Sequence, residues 1–332
     1  MMDVIRHSNG TWITRKLSRL CFRLLLMAAL AIGGCTKPPG PILRVATNIW
    51  PGYETLYLAR SLGYFDGMPI RLVEMPSSTQ VSANLRDGTI EAGCLTLDEA
   101  LTLLQDGVDL CVILVIDMSH GADVVMARPG INNLKALRGR RVGVENTAVG
   151  AVMLDAALEA GGLNAKAIQI VPMTVDEHVA AYRAGKIDAV VTFEPMRSEL
   201  LKEGARVLFD SSRAPGRIID VLVVRAKEIP AHTIALKGLL QGHFRAIEHL
   251  ASQPQDAAAR MSPRLGADPL AQFKGLRLID LAENRTLLSG IPPRLKTAVD
   301  RLAKLMLRRG LLQQPVSVER LAEPAFLPEN RP

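Results

Sequence analysis

Asp117, Ser119 and His120 place the three residue types of a hydrolytic triad within four positions. Working triads are assembled from distant segments that fix nucleophile against base, so this run is not read as one. Glu177-His178 is half of a zinc-hydrolase helix, but no second histidine follows at the required spacing. Gly139, Gly143 and Gly150 lack the spacing of a phosphate-binding loop. Cys94 and Cys111 sit in apolar runs without the histidine spacing that a zinc site needs. No metal, cofactor or catalytic group is expected. Binding chemistry is better represented. In a chain with only 4% aromatic residues, NIWPGYETLYLARSLGYFD holds Trp50, Tyr53, Tyr57, Tyr64 and Phe65 around a Pro-Gly turn. A turn is a poor place for a core. A cleft that stacks a flat or cationic ligand would use Trp50 and Tyr53 there. Tyr57 and Tyr64 fall within or after the following helix and are read as packing residues.

The elements that must position these residues alternate strand with helix. Short apolar strands start at Arg44, Ile70, Thr89 and Leu110, separated by helices that stop at Gly63, at Asp87-Gly88 and near Gln105. Ser77 with Gln80, and Thr96 with Glu99, have the capping-box pattern that starts a helix. A second set begins after Arg128-Pro129-Gly130, with RVGVE, AIQIVPM, IDAVVTF, ARVLFD and RIIDVLVVR as strands and a capping box at Thr174 and Glu177. Helices dominate from about residue 231 to residue 310. Such alternation implies an α/β fold of two lobes, each a mostly parallel sheet flanked by helices, with a helical C-terminal tail. ADVVMARPG and DVLVVR are read as the two crossings between lobes. Residues 42–127 then form the first part of lobe 1, residues 128–221 an inserted lobe 2, and residues 222–332 the return and the C-terminal helices. Hinges are expected near residues 127–129 and 221–224.

In open α/β sheets, ligands bind beyond the carboxyl ends of the strands. Those ends supply Asn48, Trp50 and Tyr53; Ser77, Ser78 and Thr79; Thr96; and Asp117, Ser119 and His120. In the second lobe they supply Glu145, Asn146, Thr147, Thr174, Phe193 and Glu194, with Asp220 near the second crossing. Asp117, Glu145 and Glu194 stand at strand ends where no Arg or Lys does so as clearly. Fixed acids there repel an anion and suit an amine, an aminopyrimidine or another donor-rich ligand. Helix N-terminal charge is the structural alternative for Glu145 and Glu194. Asp98 and Glu99, inside a capping box, are read that way.

The formal charge of +7 is concentrated at the start. Residues 1–34 carry Arg6, Arg15, Lys16, Arg19 and Arg23 against Asp3, which leaves +3 for the rest and no basic stripe for nucleic acid. Arg301, Lys304, Arg308 and Arg309 are read as a solvated helix face. RKLSRLCFRLLLMAALAIGGC has the basic start and short apolar run of a signal peptide. Ile32-Gly33-Gly34-Cys35 resembles a bacterial lipobox, which implies cleavage before Cys35, its lipidation, and a Pro-rich tether over residues 35–41. Cys94 and Cys111 then remain, either as buried thiols or as a pair.

The order of elements, with LRDGTIEAGCLTLDEAL, LKALRGRRVGVENTAVGAVML, DEHVAAYRAGKIDAVVTFEP and LFDSSRAPGRIIDVLVV, resembles type II periplasmic binding proteins, the solute receptors of ABC importers. Within them it is similar to the nitrate/sulfonate/taurine and thiamine-precursor group. The resemblance implies a lipid-anchored, extracytoplasmic, monomeric receptor without enzymatic activity. It would close two lobes on a small nitrogenous solute and dock on a membrane permease, with no nucleic acid as partner. Three alternatives stand beside it. One is a sulfonate receptor using backbone N–H groups with Ser77, Ser78 and Thr79. Another is a sensory lipoprotein. The third is an enzyme like the thiamine-pyrimidine synthases, although the Cys-rich signature of that family is missing here.

Overall fold

The computed structural model describes residues 40–145 and 148–329. The expected signal segment, Cys35 and most of the tether lie outside the described residues, as do Asn146 and Thr147. Gly40–Pro332 forms one compact unit.

The chain runs β1 (Leu43–Thr47), α1 (Glu54–Ser61), β2 (Ile70–Glu74), α2 (Ser78–Asp87), β3 (Ala92–Thr96), α3 (Leu97–Gln105) and β4 (Leu110–Ser119). It continues as β5 (Val124–Ala127), β6 (Arg141–Val144), α4 (Ala148–Ala160), β7 (Gln169–Pro172), α5 (His178–Arg183), β8 (Ala189–Thr192), α6 (Met196–Lys202) and β9 (Arg206–Asp210). It returns through β10 (Ile219–Arg225), α7 (Ile229–Ser252), α8 (Pro254–Leu265), α9 (Pro269–Gln272), β11 (Leu276–Leu278), α10 (Leu281–Leu288) and α11 (Leu295–Arg309).

Two sheets result, in the orders β11-β4-β10-β3-β1-β2 and β7-β6-β8-β5-β9. In the first, β1 to β4 share one direction, while β10 runs antiparallel to β3 and β4, and β11 antiparallel to β4. In the second, β5 alone runs against its neighbours β8 and β9. The two-lobe α/β expectation holds, with the second sheet inserted between β4 and β10. The nearly uninterrupted apolar runs of β4 and β10 follow from cover on both faces: Val112 to Ile116 and Val221 to Val224 are fully buried.

The crossings differ from those expected. The chain leaves the first sheet after Ser119 and enters the second at Val124; it leaves after Asp210 and re-enters at Ile219. Residues 124–127, expected in lobe 1, pair with β8 and β9, and residues 221–224, expected as a hinge, pair with β3 and β4. Hydropathy marks both segments as buried strands, but pairing decides which sheet each one joins.

Local signals place the helix starts. The Ser77 side chain accepts from the Gln80 N–H, and α2 stops at Gly88 with φ +75°, a conformation that glycine adopts without Cβ strain. The capping box at Thr96 and Glu99 opens α3. That at Thr174 and Glu177 opens a short 3-10 turn before α5. The helical tail holds a strand that was not anticipated, β11, three residues long and paired with β4. Arg309, expected as solvated, reaches the second lobe and pairs with Asp155 and Glu159. Cys94 and Cys111 are both buried free thiols.

Asn284 on α10 locks the tail to β4. Its amide oxygen accepts from the Val115 N–H at 2.8 Å, and its NH2 donates to the carbonyls of Val115, Ile279 and Asp280. It is fully buried, so Asn284→Ala leaves the Val115 backbone unpaired in the core. The expected cost is about 2–4 kcal/mol, read as a lower urea midpoint. An unchanged midpoint contradicts the assignment.

Candidate functional site

After β1 the chain turns through Trp50 into a 3-10 turn, Pro51–Tyr53, that runs into α1. Pro51 takes the first helical position, where its fixed φ suits the turn and no N–H is needed. The Tyr53 N–H closes the turn on the Trp50 carbonyl at 3.0 Å. Trp50 and Tyr53 are thereby delivered to the carboxyl edge of the first sheet.

Two aspartates meet them there. The Trp50 indole donates to Asp117 Oδ2 at 3.1 Å, and the Tyr53 hydroxyl donates to Asp220 Oδ1 at 2.6 Å. Strand register explains the pairing: Asp220 on β10 stands opposite Asp117 on β4 and opposite Thr96 on β3. Gly52 makes the approach possible. A Cβ there would lie 1.8 Å from Asp117 Oδ2, so any side chain displaces the carboxylate.

A cavity of about 20 Å³ adjoins this pair. Asn48, Trp50, Tyr53, Ser78, Thr96, Glu99 and Asp220 line it from the first lobe, Val149 and Phe193 from the second, and Asp123 and Ile218 from the crossings. Trp50 meets Phe193 edge-on across the cleft, with ring centroids 5.4 Å apart. The volume suffices for roughly one water. A ring-sized ligand therefore enters only if the lobes part or Trp50 moves. Asn48 Oδ1, Asp123 Oδ2 and Asp220 Oδ2 are buried acceptors without a protein donor.

Among the described residues lining the cavity there is no lysine, arginine, histidine or cysteine. Burial pushes Asp123 up to about 7, and burial with Glu99 nearby pushes Glu145 up to about 7. Asp98 and Asp220 are raised well above the usual carboxylate range by burial, and then by their neighbours Glu99 and Asp117 respectively. Asp117 is raised by burial against a partial offset from the Trp50 indole. No basic side chain opposes any of these shifts.

Glu145, at the end of β6, crosses to the first lobe. Its Oε1 accepts from the Thr79 hydroxyl at 2.8 Å, the Thr79 N–H at 3.3 Å and the Ser78 hydroxyl at 3.4 Å. Ser78 also donates to Glu99 Oε1 at 2.7 Å, while Glu99 Oε2 accepts from the Thr96 N–H. Glu99 is thus both the expected cap and a cavity wall.

Of the residues expected at the site, Asn48, Trp50, Tyr53, Ser78, Thr96, Phe193 and Asp220 line one cavity. Asp117 backs it through Trp50, and Thr79 with Glu145 bridges the lobes beside it. Five others are placed elsewhere, among them Thr174, which caps the 3-10 turn before α5. Ser77 is the α2 cap. Ser119 binds Ser211 across the two crossings at 2.7 Å. The His120 side chain is exposed. Glu194 pairs with Arg197 and accepts from the Ser198 N–H. Asn146 and Thr147 lie outside the described residues. Tyr57 bonds Thr47 and is covered by Arg264, so it packs as expected. Sequence reasoning missed Glu99, Asp123, Val149 and Ile218. Only the acidity of the short crossing could have pointed to Asp123.

The two crossings are laced to each other. Ser211 Oγ also accepts from the Gly121 N–H, Ser119 Oγ accepts from the Asp123 N–H at 3.3 Å, and the Ser211 N–H bonds the Asp123 carbonyl at 2.9 Å. Asp123 is therefore held by the segment about which the lobes would turn.

The raised acids fix a pH dependence. Asp123 goes from an ordinary 3.8, and Glu145 from 4.5, to about 7 in the folded chain. Between those values the folded state holds more protons than the unfolded one, so stability falls as pH rises from about 4 to 7. The melting temperature at pH 8 should lie below that at pH 5 by at least about 3 °C, and Asp117→Asn should flatten the difference. A melting temperature that is equal or higher at pH 8 contradicts the charge assignment.

Solved structures resemble this fold over most of both chains. The alkanesulfonate-binding protein SsuA from Xanthomonas axonopodis pv. citri, bound to MOPS, is 18% identical, with 86% of this chain and 97% of that one covered and a TM-score of 0.70. The ligand-binding component of an ABC-type import system from Staphylococcus aureus, with zinc bound, is 15% identical, covering 88% and 100% at a TM-score of 0.71. The desulfurization enzyme DSZB is 19% identical, covering 86% and 97% at a TM-score of 0.63. At these identities the likeness establishes the periplasmic-binding-protein fold, one shared by binding proteins and an enzyme. No curated protein matches the chain. The model of the NMT1-like family matches residues 36–265, well over half of the chain. The chain belongs to the NMT1-like family.

Proposed function

We propose that the protein is a lipid-anchored, extracytoplasmic solute receptor of an ABC importer, and that its solute is a small nitrogenous cation such as an amine or a protonated aminopyrimidine. The observation that carries the ligand class is the cavity wall: Glu99, Asp123 and Asp220 line it, Asp117 backs it, and no basic side chain lines it. A cation supplies the missing countercharge, and the Trp50 face offers a cation–π contact. The lobes would part at the Ser119–Ser211 crossings, admit the solute and close on it, favouring the closed population. The permease would read that closed form. Cys35 would carry the lipid. Among the described residues no helix is long and apolar enough to cross a membrane, so attachment in this reading rests on that lipid.

A sulfonate reading is favoured by the alkanesulfonate-binding neighbour. The cavity opposes it, because among the described residues lining it no basic side chain offers an anion a countercharge, and Glu145 already takes the Thr79 N–H and hydroxyl. The enzyme reading draws on the DSZB likeness. Against it, no cysteine nucleophile and no histidine base are among the described residues lining the cavity.

Trp50 is the only tryptophan of the compact unit Gly40–Pro332, because the other is Trp12. Fluorescence titration of that unit should show saturable binding of 4-aminopyrimidine or propylamine and none of taurine or methanesulfonate. Asp220→Asn, which keeps an acceptor for Tyr53 without the charge, should weaken amine binding about tenfold or more. A saturable response to the sulfonates alone contradicts the cationic reading.

A further inference from the structure

The N-terminus of α2 is where an anionic ligand would be held in this cleft. A helix start offers free N–H groups and a positive dipole end, and α2 adds two hydroxyls, Ser78 and Thr79. In this chain that place is taken. Glu145 arrives from the opposite lobe and sets one carboxylate oxygen on the Thr79 N–H, the Thr79 hydroxyl and the Ser78 hydroxyl. The side chain is nine-tenths buried or more, and its second oxygen, Oε2, has no donor. The local chain is shaped around this arrangement. Gly150 in the first turn of α4 lies so close to the Glu145 carbonyl that a Cβ there would fall 2.6 Å from it.

A carboxylate in this position does two things at once. It ties lobe to lobe, and with one oxygen it fills the Thr79 N–H and hydroxyl, donors that a sulfonate or carboxylate ligand would need. Glu99, which shares the Ser78 hydroxyl, adds negative charge beside it. We propose that Glu145 is a specificity determinant that occupies the anion position at the N-terminus of α2, excludes anionic solutes from the cleft, and opens that position to them when removed. The proposal rests on the cleft being the solute site and deepens that reading by naming the residue that rejects the other ligand class.

The experiment compares methanesulfonate titrations, followed by Trp50 fluorescence, for the wild-type compact unit and for Glu145→Ala, Glu145→Gln and Glu145→Asp. Thermal melts confirm folding. Glu145→Ala should bind methanesulfonate at least about tenfold more tightly than wild type. Glu145→Gln, which keeps the shape and removes the charge, should gain less, and Glu145→Asp should gain nothing. If Glu145→Ala fails to fold, the Glu145→Gln gain decides. Methanesulfonate binding that is equal in wild type and the neutral variants, or a neutral variant that gains no affinity, overturns the proposal. Propylamine titration of wild type runs in parallel. Its failure counts against the cationic receptor, whereas the anion gain in the variants is read independently of it.

Discussion

The structure is organised around carboxylates that share one buried cleft without a countercharge. Moving an ionised carboxylate into protein costs several kcal/mol unless a cation or several donors compensate. Among the described residues, Asp98, Asp117, Asp123, Glu145 and Asp220 have no basic neighbour, and the donors they do have are an indole, a phenol, hydroxyls and backbone N–H groups. Protons therefore stay on the cluster at higher pH than carboxylates usually allow. Such a cluster is a stored electrostatic demand, and a cation that enters meets it by displacing those protons.

Every other feature of the site serves that cluster. β10 enters the first sheet antiparallel between β3 and β4, which sets Asp220 in register with Asp117 and brings two acids side by side. The Pro-Gly turn lays Trp50 and Tyr53 over them, and only a glycine at position 52 leaves the carboxylate room. The crossings carry Asp123 to the same cavity. Their lacing through Ser119 and Ser211 makes the crossings and the cavity wall one piece of chain. In the proposed receptor, any movement of the lobes would change the surroundings of Asp123 directly. The outer contact of Arg309 with Asp155 and Glu159, and the inner contact of Glu145 with α2, are the ties that such movement must release.

Features governed by neighbours in sequence were readable from it. Ser77 and Gln80, and Thr96 and Glu99, announced helix starts through local hydrogen bonds, and the Pro-Gly turn with Trp50 and Tyr53 announced its place at a strand end. Features governed by distant pairing were not. Residues 124–127 and 221–224 are apolar strands by composition, and nothing local says which sheet takes them. β11 is three residues long among helices, too short to show alternation. Ser119 looked like a ligand contact because its partner Ser211 is 92 positions away. Asp123 looked like loop polarity, because its role comes from where the chain changes sheets. Glu99 was legible as a cap but not as a cavity wall, since one carboxylate serves both.

The cleft acids hold protons at neutral pH that a bound cation would displace. Calorimetry of propylamine binding near pH 7, where the ligand is an ammonium cation, repeated in two buffers of different ionisation enthalpy, measures how many protons leave on binding. Net proton release to the buffer, falling toward zero as pH rises above about 8, is the predicted result. Binding with no proton exchange near pH 7, or with net proton uptake there, would contradict it.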